Sequence, residues 1–444
     1  WAGDNIYADL YEGVTFDPLP HSKFAPGPPA HLRSLYGRQM QDPGYRMFLN
    51  SSIPMVATWD DHDYGINDGD KTNPYRVQNQ AEFLNFIGEP VDSPRRKQAG
   101  VYDAKLFNFG AGTEKGRRVL VVLLDMRYHK DPYGTPNGDF LGEEQWDWLD
   151  NLLSSSSADV HLIVSSIQML QTRNVAGESW VRFPAARARL LRLLARHNVS
   201  APIVLSGDVH FAELSMGYCS GGRLLEVTSS GMTHSVGTCD ATNPNPLTDT
   251  LFSWGFELAM NTMPWRYQMS DPATRAPLYF TGRNFGELEF DWPARAVRVN
   301  IYGHEVDPRL SQVFLLENLG VGGAGEGGVA DFAPLDGEPG NLRIGLGIVV
   351  CAMVPMSLTA LAVAFCWLLI GRVARRLSLS RASLADSASL PLRPCAPPSE
   401  STSGGSEGEE EETSGALEST EDATEDPAAK PSPDLGRSAR TVGF

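Results

Sequence analysis

Three short runs of acids, histidines and tyrosine hold the side chains that could do chemistry. They are Gly3-Asp4-Asn5-Ile6-Tyr7, Thr58-Trp59-Asp60-Asp61-His62-Asp63-Tyr64-Gly65 and Ser206-Gly207-Asp208-Val209-His210. Carboxylates and imidazoles gathered in one crevice repel or desolvate one another unless a cation sits among them. Oxygen and nitrogen donors of this kind suit a pair of divalent or trivalent metals. Two metals about 3.5–4 Å apart, bridged by a carboxylate, activate water and clamp a phosphoryl group. Gly207 lets the backbone approach, and Asp208 and His210 share one side if their segment is extended. Each run also has a plainer reading. Gly3-Asp4 alone is most often a turn, residues 60–63 alone could be a solvated loop or a weak calcium site, and Gly-Asp-Val-His alone is as ambiguous. In order within one domain they point to a shared site.

Positioning them requires a scaffold, and the hydrophobic pattern supplies one. VLVVLLD over 119–125 is a continuous apolar run ending in an acid, the mark of a strand buried on both faces. Residues 143–153 follow as a helix with Trp146, Leu149 and Leu153 on one side. Residues 160–165 read as a second buried strand, 203–206 as a third and 224–228 as a fourth. Residues 185–197 form a basic amphipathic helix, with Leu190, Leu191 and Leu194 inward. After about 279 the pattern alternates: 286–292, 296–301 and 313–316, with Leu288, Phe290 and Trp292 on one face. Strand–helix alternation followed by late strands predicts an α/β layered domain. In such sheets the loops at the carboxyl ends of strands carry ligands, and the runs at 58–65 and 206–210 each follow an apolar stretch.

The rest of the chain is of a different kind. Residues 344–371 contain no charge, and a bilayer core of about 30 Å needs about 20 apolar helical residues, so this stretch predicts a single membrane span. Arg372, Arg375, Arg376 and Arg381 flank its C-terminal side, which puts the tail in the cytoplasm and residues 1–342 in the lumen or outside the cell. The sequons Asn50-Ser51-Ser52 and Asn198-Val199-Ser200, and a possible Cys219–Cys239 pair, accord with that compartment. Residues 372–444 carry eight basic and thirteen acidic side chains and few large apolar ones, which predicts a disordered acidic tail whose partner the composition does not name. Residue 1 is Trp, and the expected reading is a fragment without its targeting segment.

Composition removes other functions. With a net charge of −17, the chain lacks the basic excess that phosphate-backbone binding needs, so no nucleic-acid partner is expected. Five cysteines make neither a disulfide scaffold nor a zinc ribbon. Two further residues keep two readings each. Arg127 could bind substrate phosphate or pair with an acid, and His234 could line the pocket or belong to an ordinary loop.

The three runs, with Leu124-Asp125-Met126-Arg127-Tyr128, the helix start at 141–146 and Val227-Thr228-Ser229-Ser230-Gly231, resemble the motifs of PhoD-like alkaline phosphatases, a branch of the metallophosphoesterases. The resemblance covers residues 1 to about 305. It implies a metallophosphoesterase-type β-sandwich flanked by helices over 1–305, with 306–343 as the end of the domain and a Gly-rich linker. It implies that Asp4 bridges two metals and that Tyr7 ligates the harder one, ferric iron. Asp61 and Asp208 would serve a second metal, calcium or another divalent ion, and His210 would complete the set. His62 would stabilise the transition state or protonate the leaving oxygen, with Arg127 the other catalytic candidate. The resulting expectation is a membrane-anchored phosphoesterase that hydrolyses phosphate esters by metal-activated water. The alternative is a degenerate receptor or scaffold that keeps the fold and signals through its tail.

Overall fold

The computed structural model describes residues 1–16, 20–51, 53–109, 117–171, 178–219, 222–236, 253–258, 260–261, 267–322 and 440–444. From the amino end, a hairpin of β1 (Leu10–Phe16) and β2 (Pro20–Ala25) precedes α1 (Pro29–Gln39), α2 (Pro43–Leu49), the single turn α3 (Asp61–Tyr64) and α4 (Arg76–Phe86). Then come β3 (Asp103–Phe109), β4 (Arg117–Leu123), α5 (Gly142–Ser155), β5 (Val160–Val164), α6 (Pro184–Arg196), β6 (Pro202–Ser206), β7 (Ala212–Cys219) and β8 (Gly222–Ser229). The last strands are β9 (Tyr279–Phe280), β10 (Phe285–Asp291), β11 (Ala296–Tyr302), β12 (Leu310–Leu315) and β13 (Arg440–Gly443).

Seven strands form one mixed sheet in the order β3-β4-β5-β6-β8-β7-β9. Its centre, β4-β5-β6-β8, is parallel. Every residue of β5 and β6 is buried, because helices cover one face and a second sheet the other. On the helical face, Trp146, Leu149 and Leu153 of α5 and Leu190, Leu191 and Leu194 of α6 pack against Val122, Ile163 and Val204. Burying a leucine of this sort contributes about 1.5–3 kcal/mol, which is what pins both helices to the sheet. On the other face lies the antiparallel sheet β12-β11-β10-β13, whose Leu288, Phe290, Val297, Val299 and Ile301 meet Val121, Leu162 and Leu205. A third cluster, around Trp59, Tyr64 and Phe83, fixes the amino-terminal segment to α1 and α4. The expected α/β layering, a mixed sheet flanked by helices, is present.

Several expectations change. Residues 440–443 form a strand on β10, so the tail expected to be disordered has an ordered end. β7 escapes the hydrophobic pattern because Glu213 and Ser215 are buried in it, bonded by Gln168 and Gln171. Asp208 and His210 both have positive φ (71° and 59°), so their segment turns through the left-handed region and is not extended. The stretch at 344–371, most of the acidic tail, Ser52 of the first sequon and Cys239 lie outside the described residues. Among the described residues, no helix is long and apolar enough to cross a membrane.

Candidate metal centre

Parallel strands end on the same side of a sheet, and here the carboxyl ends of β4, β5, β6 and β8 converge. β6 delivers Gly207-Asp208, and the Gly207 amide donates to the carbonyl of Ser166, just beyond β5, at 2.8 Å. The His210 amide donates to Ser230 Oγ, just beyond β8, at 3.1 Å. Beyond β4, Asp125 folds a turn by accepting the amides of Arg127 and Tyr128 at 2.9 Å each. The amino-terminal strip runs over these ends beside residues 56–62, with the Thr58 amide bonded to the Trp1 carbonyl at 3.1 Å. Gly3 is required at this crossing: its φ is +122°, and a Cβ would stand 2.5 Å from that of Asp60. Asp63 then clasps the loop, accepting from the Asn5 and Ile6 amides at 3.0 and 3.3 Å and from Tyr36 Oη at 3.1 Å.

The result is a pile of carboxylates in which Asp60, Asp61 and Glu178 are buried, Asp4 and Asp208 half-buried and Asp68 exposed. Donor atoms of Asp4, Asp61 and His62 lie within 4.8 Å of one another, as do those of Asp60, Asp61 and Asp208, and of Asp61, Asp68 and Glu178. Asp61 belongs to all three groups. It is oriented from behind by the amides of His62 (2.9 Å) and Asp68 (2.7 Å). Burial, and then the charge of Asp61, pushes the Asp4 carboxyl well above the usual carboxylate range. Burial and the neighbouring acids do the same to Asp208. Burial also raises Asp60, to about 6, although Arg127 pulls it down. In Asp61 the balance falls the other way: burial raises its pKa, but Arg127, His62 and two backbone amides more than offset that. Oxygens Asp4 Oδ1 and Asp60 Oδ2 are buried without a hydrogen-bond partner in the protein. Orphaned carboxylate oxygens facing other acids are what a hard cation would satisfy, so this donor set fits a metal.

Tyr7 and His210 stand at one flank, Tyr7 Oη 3.0 Å from His210 Nε2. The Tyr7 ring packs at 4.1 Å from His62 and 4.3 Å from His234, between centroids. His234 packs its ring on Tyr7 but is itself exposed. Burial, and then Asp4, raises the Tyr7 hydroxyl, so without a cation it is a neutral phenol. Burial, and then His234, lowers His210 to about 4, leaving it a neutral donor ring. The sequence-predicted Asp4, Tyr7, Asp61, His62, Asp208 and His210 are thus brought together, although His210 joins through Tyr7 and not through the three acid groups.

Arg127 is placed differently. It is fully buried, its Nε donating to Asp60 Oδ1 at 2.5 Å and its Nη1 to Glu178. Its Nη2 lies 3.8 Å from Asp61 and 3.9 Å from Asp208. Of its two readings the acid pair is the one present: Arg127 underpins the acids from within. A cavity of about 100 Å³ is lined by Asp4, Asn5, Tyr7, Asp60, Asp208 and Ser230 among others.

Three participants are missing from the sequence reading. Glu178 binds Arg127, Tyr133 and, at 3.0 Å, Lys130, and belongs to no motif that would betray it. Asp68 follows the second run by a few residues and joins the third donor group. Asp9 takes His62 Nδ1 at 2.5 Å, and its signal is only its place two residues after Tyr7. Burial lowers the His62 pKa, yet Asp61 and Asp9 hold it above the usual imidazole value.

The sequence model of the PhoD-like phosphatase family matches residues 1–220. The chain is 24% identical over 196 residues to alkaline phosphatase D of Bacillus subtilis (strain 168), covering 36% of this chain and 32% of that protein. It therefore spans about a third of the length of that curated relative. A solved structure described as "Structure of PhoD" aligns with a TM-score of 0.45 at 20% identity, over 74% of this chain and 66% of that one. The family match begins and ends around the three acid-bearing runs, and residues 1–220 belong to the PhoD-like phosphatase family.

Proposed function

We propose that this chain is a metal-dependent phosphoesterase acting on phosphate monoesters or diesters. The observation that carries the reading is the convergence of Asp4, Asp60, Asp61 and Asp208 at the strand ends, with buried carboxylate oxygens left unpartnered. Asp4, Asp61 and Asp208 would hold the metals, with Tyr7 and His210 at the flank of the harder ion, for which we infer ferric iron beside calcium. When bound, such ions supply Lewis acidity toward the phosphoryl oxygens and activation of water. The protein does the rest. Asp9 fixes Nδ1 of His62, so that its Nε2 is free to hand a proton to the leaving oxygen. The Arg127–Asp60–Glu178 pairs keep the acids in place from beneath. A group acting from that depth positions and does not touch substrate.

The test is hydrolysis of a chromogenic phosphate ester by the full chain, stripped of metal with a chelator and then resupplied with iron and calcium. Activity should vanish on stripping and return on reloading, and Asp208→Asn should remove it while leaving the thermal transition in place. Equal activity in the stripped protein, or in Asp208→Asn, would refute the reading.

A further inference from the structure

One edge of β10 pairs with β11, and the other receives residues from the far end of the chain. The register is Glu287 with Gly443, Leu288 with Val442, Glu289 with Thr441 and Phe290 with Arg440. It closes with a reciprocal pair: the Gly286 amide donates to the Phe444 carbonyl at 2.6 Å, and the Phe444 amide to the Gly286 carbonyl at 2.7 Å. Glycine inside a strand costs stability unless something uses the space that its missing side chain leaves. Here something does. A Cβ on Gly286 would lie 2.4 Å from Cζ of Phe444, so the phenyl ring rests on the bare backbone of β10. Gly286 continues the face of Leu288 and Phe290 that looks into the core. The ring thereby extends that apolar face by one place.

Beneath it lies an apolar cavity of about 640 Å³ between the two sheets, lined by Val121, Leu162, Val164, Leu205, Phe285 and Phe444 among others. Phe444 also lines the smaller cavity that holds Asp4, Tyr7 and Asp208. An open strand edge above an apolar slot is a recognition site of known physics: backbone bonds give affinity and the slot selects the side chain.

We propose that the edge of β10, with Gly286 as its seat for an aromatic ring, is an acceptor site for an extended segment carrying a phenylalanine, and that its occupant is this chain's own residues 440–444. The docked Phe444 closes the apolar flank of the acidic cavity. This assignment stands on backbone pairing and not on the phosphoesterase reading. It has a consequence for topology, because a single bilayer crossing at 344–371 would put residues 440–444 and β10 on opposite sides. Docking of this tail and that crossing exclude each other in one chain.

The experiment is amide hydrogen exchange of the full chain, read at Gly286 by fragmentation mass spectrometry, which needs no activity. In the parent the Gly286 amide should exchange at least about ten-fold more slowly than in full-length Phe444→Ala. A synthetic heptapeptide of residues 438–444, in excess, should restore protection to Phe444→Ala. The same peptide carrying Val442→Pro should not, since proline removes the amide of the next bonded pair. Gly286→Val should be unprotected with or without the peptide. Equal exchange in parent and Phe444→Ala would overturn the proposal. So would protection of the parent that disappears on hundred-fold dilution, which would assign the occupant to a second copy.

Discussion

Asp9 is the residue with the most direct chemical consequence outside the metal-ligating set. Its carboxylate holds His62 Nδ1 at 2.5 Å, so Asp9→Asn leaves the imidazole in place but without its anionic partner. If His62 protonates the leaving oxygen, the variant should lose about 10²-fold in kcat on alkyl phosphates. It should lose much less on a nitrophenyl ester, whose leaving group needs no proton. Equal losses on both substrates would make Asp9 merely structural. Tyr7 offers a spectroscopic counterpart. Burial and Asp4 keep its hydroxyl protonated, so only a strongly charged ion could draw out the phenolate. An iron-loaded chain should absorb visible light, and Tyr7→Phe should remove that band; a colourless active enzyme would exclude ferric ligation by Tyr7. Arg127 tests the interior. Arg127→Met leaves Asp60 buried without its cation and Glu178 with only Lys130 and Tyr133, and should cost about 3–5 kcal/mol in denaturant melts. A change within experimental error would mean that the acids find other partners. The sequence could name Arg127 but not choose between its roles, because charge pairing and phosphate binding ask for the same side chain and only burial separates them.

Among the elements, the loop after β5 decides where Ser166 stands, and with it the bond of 2.6 Å from Ser166 Oγ to Asp60. Glu226 of β8 clamps this loop, its two oxygens taking the amides of Met169 (2.6 Å) and Leu170 (2.7 Å). Glu226→Gln would turn an NH₂ toward one of those amides, so it should destabilise the chain by about 1–3 kcal/mol and weaken metal binding. An unchanged unfolding midpoint would show that the loop holds itself. The elements that apolar runs announce, β4, β5, β6 and the helices α5 and α6, were legible because one-sided or complete burial writes a period into the sequence. β7 was not, since Glu213 and Ser215 occupy buried positions that pattern alone assigns to solvent. Asp208 and His210 could be named from the sequence as candidates, but not their conformation. The positive φ of both depends on how β6 turns against Ser166 and Ser230, and residue types do not encode it.

For the whole molecule, the central claim is that residues far apart in the chain meet as one metal-binding centre. Its three runs were legible as types and order. Glu178, Asp68 and Asp9 were not, because their place follows from packing alone. Asp61 is the donor common to every acid group, so it is the residue on which the centre as a whole depends. The most direct measurement is therefore the metal content of the full chain after equilibrium dialysis against iron and calcium, beside that of Asp61→Ala, with folding of both checked by thermal melts. The parent should retain metal in stoichiometric amounts, and a folded Asp61→Ala should lose most of it along with phosphoester hydrolysis. A folded parent that retains no metal, or an Asp61→Ala chain that binds as much as the parent, would contradict the account.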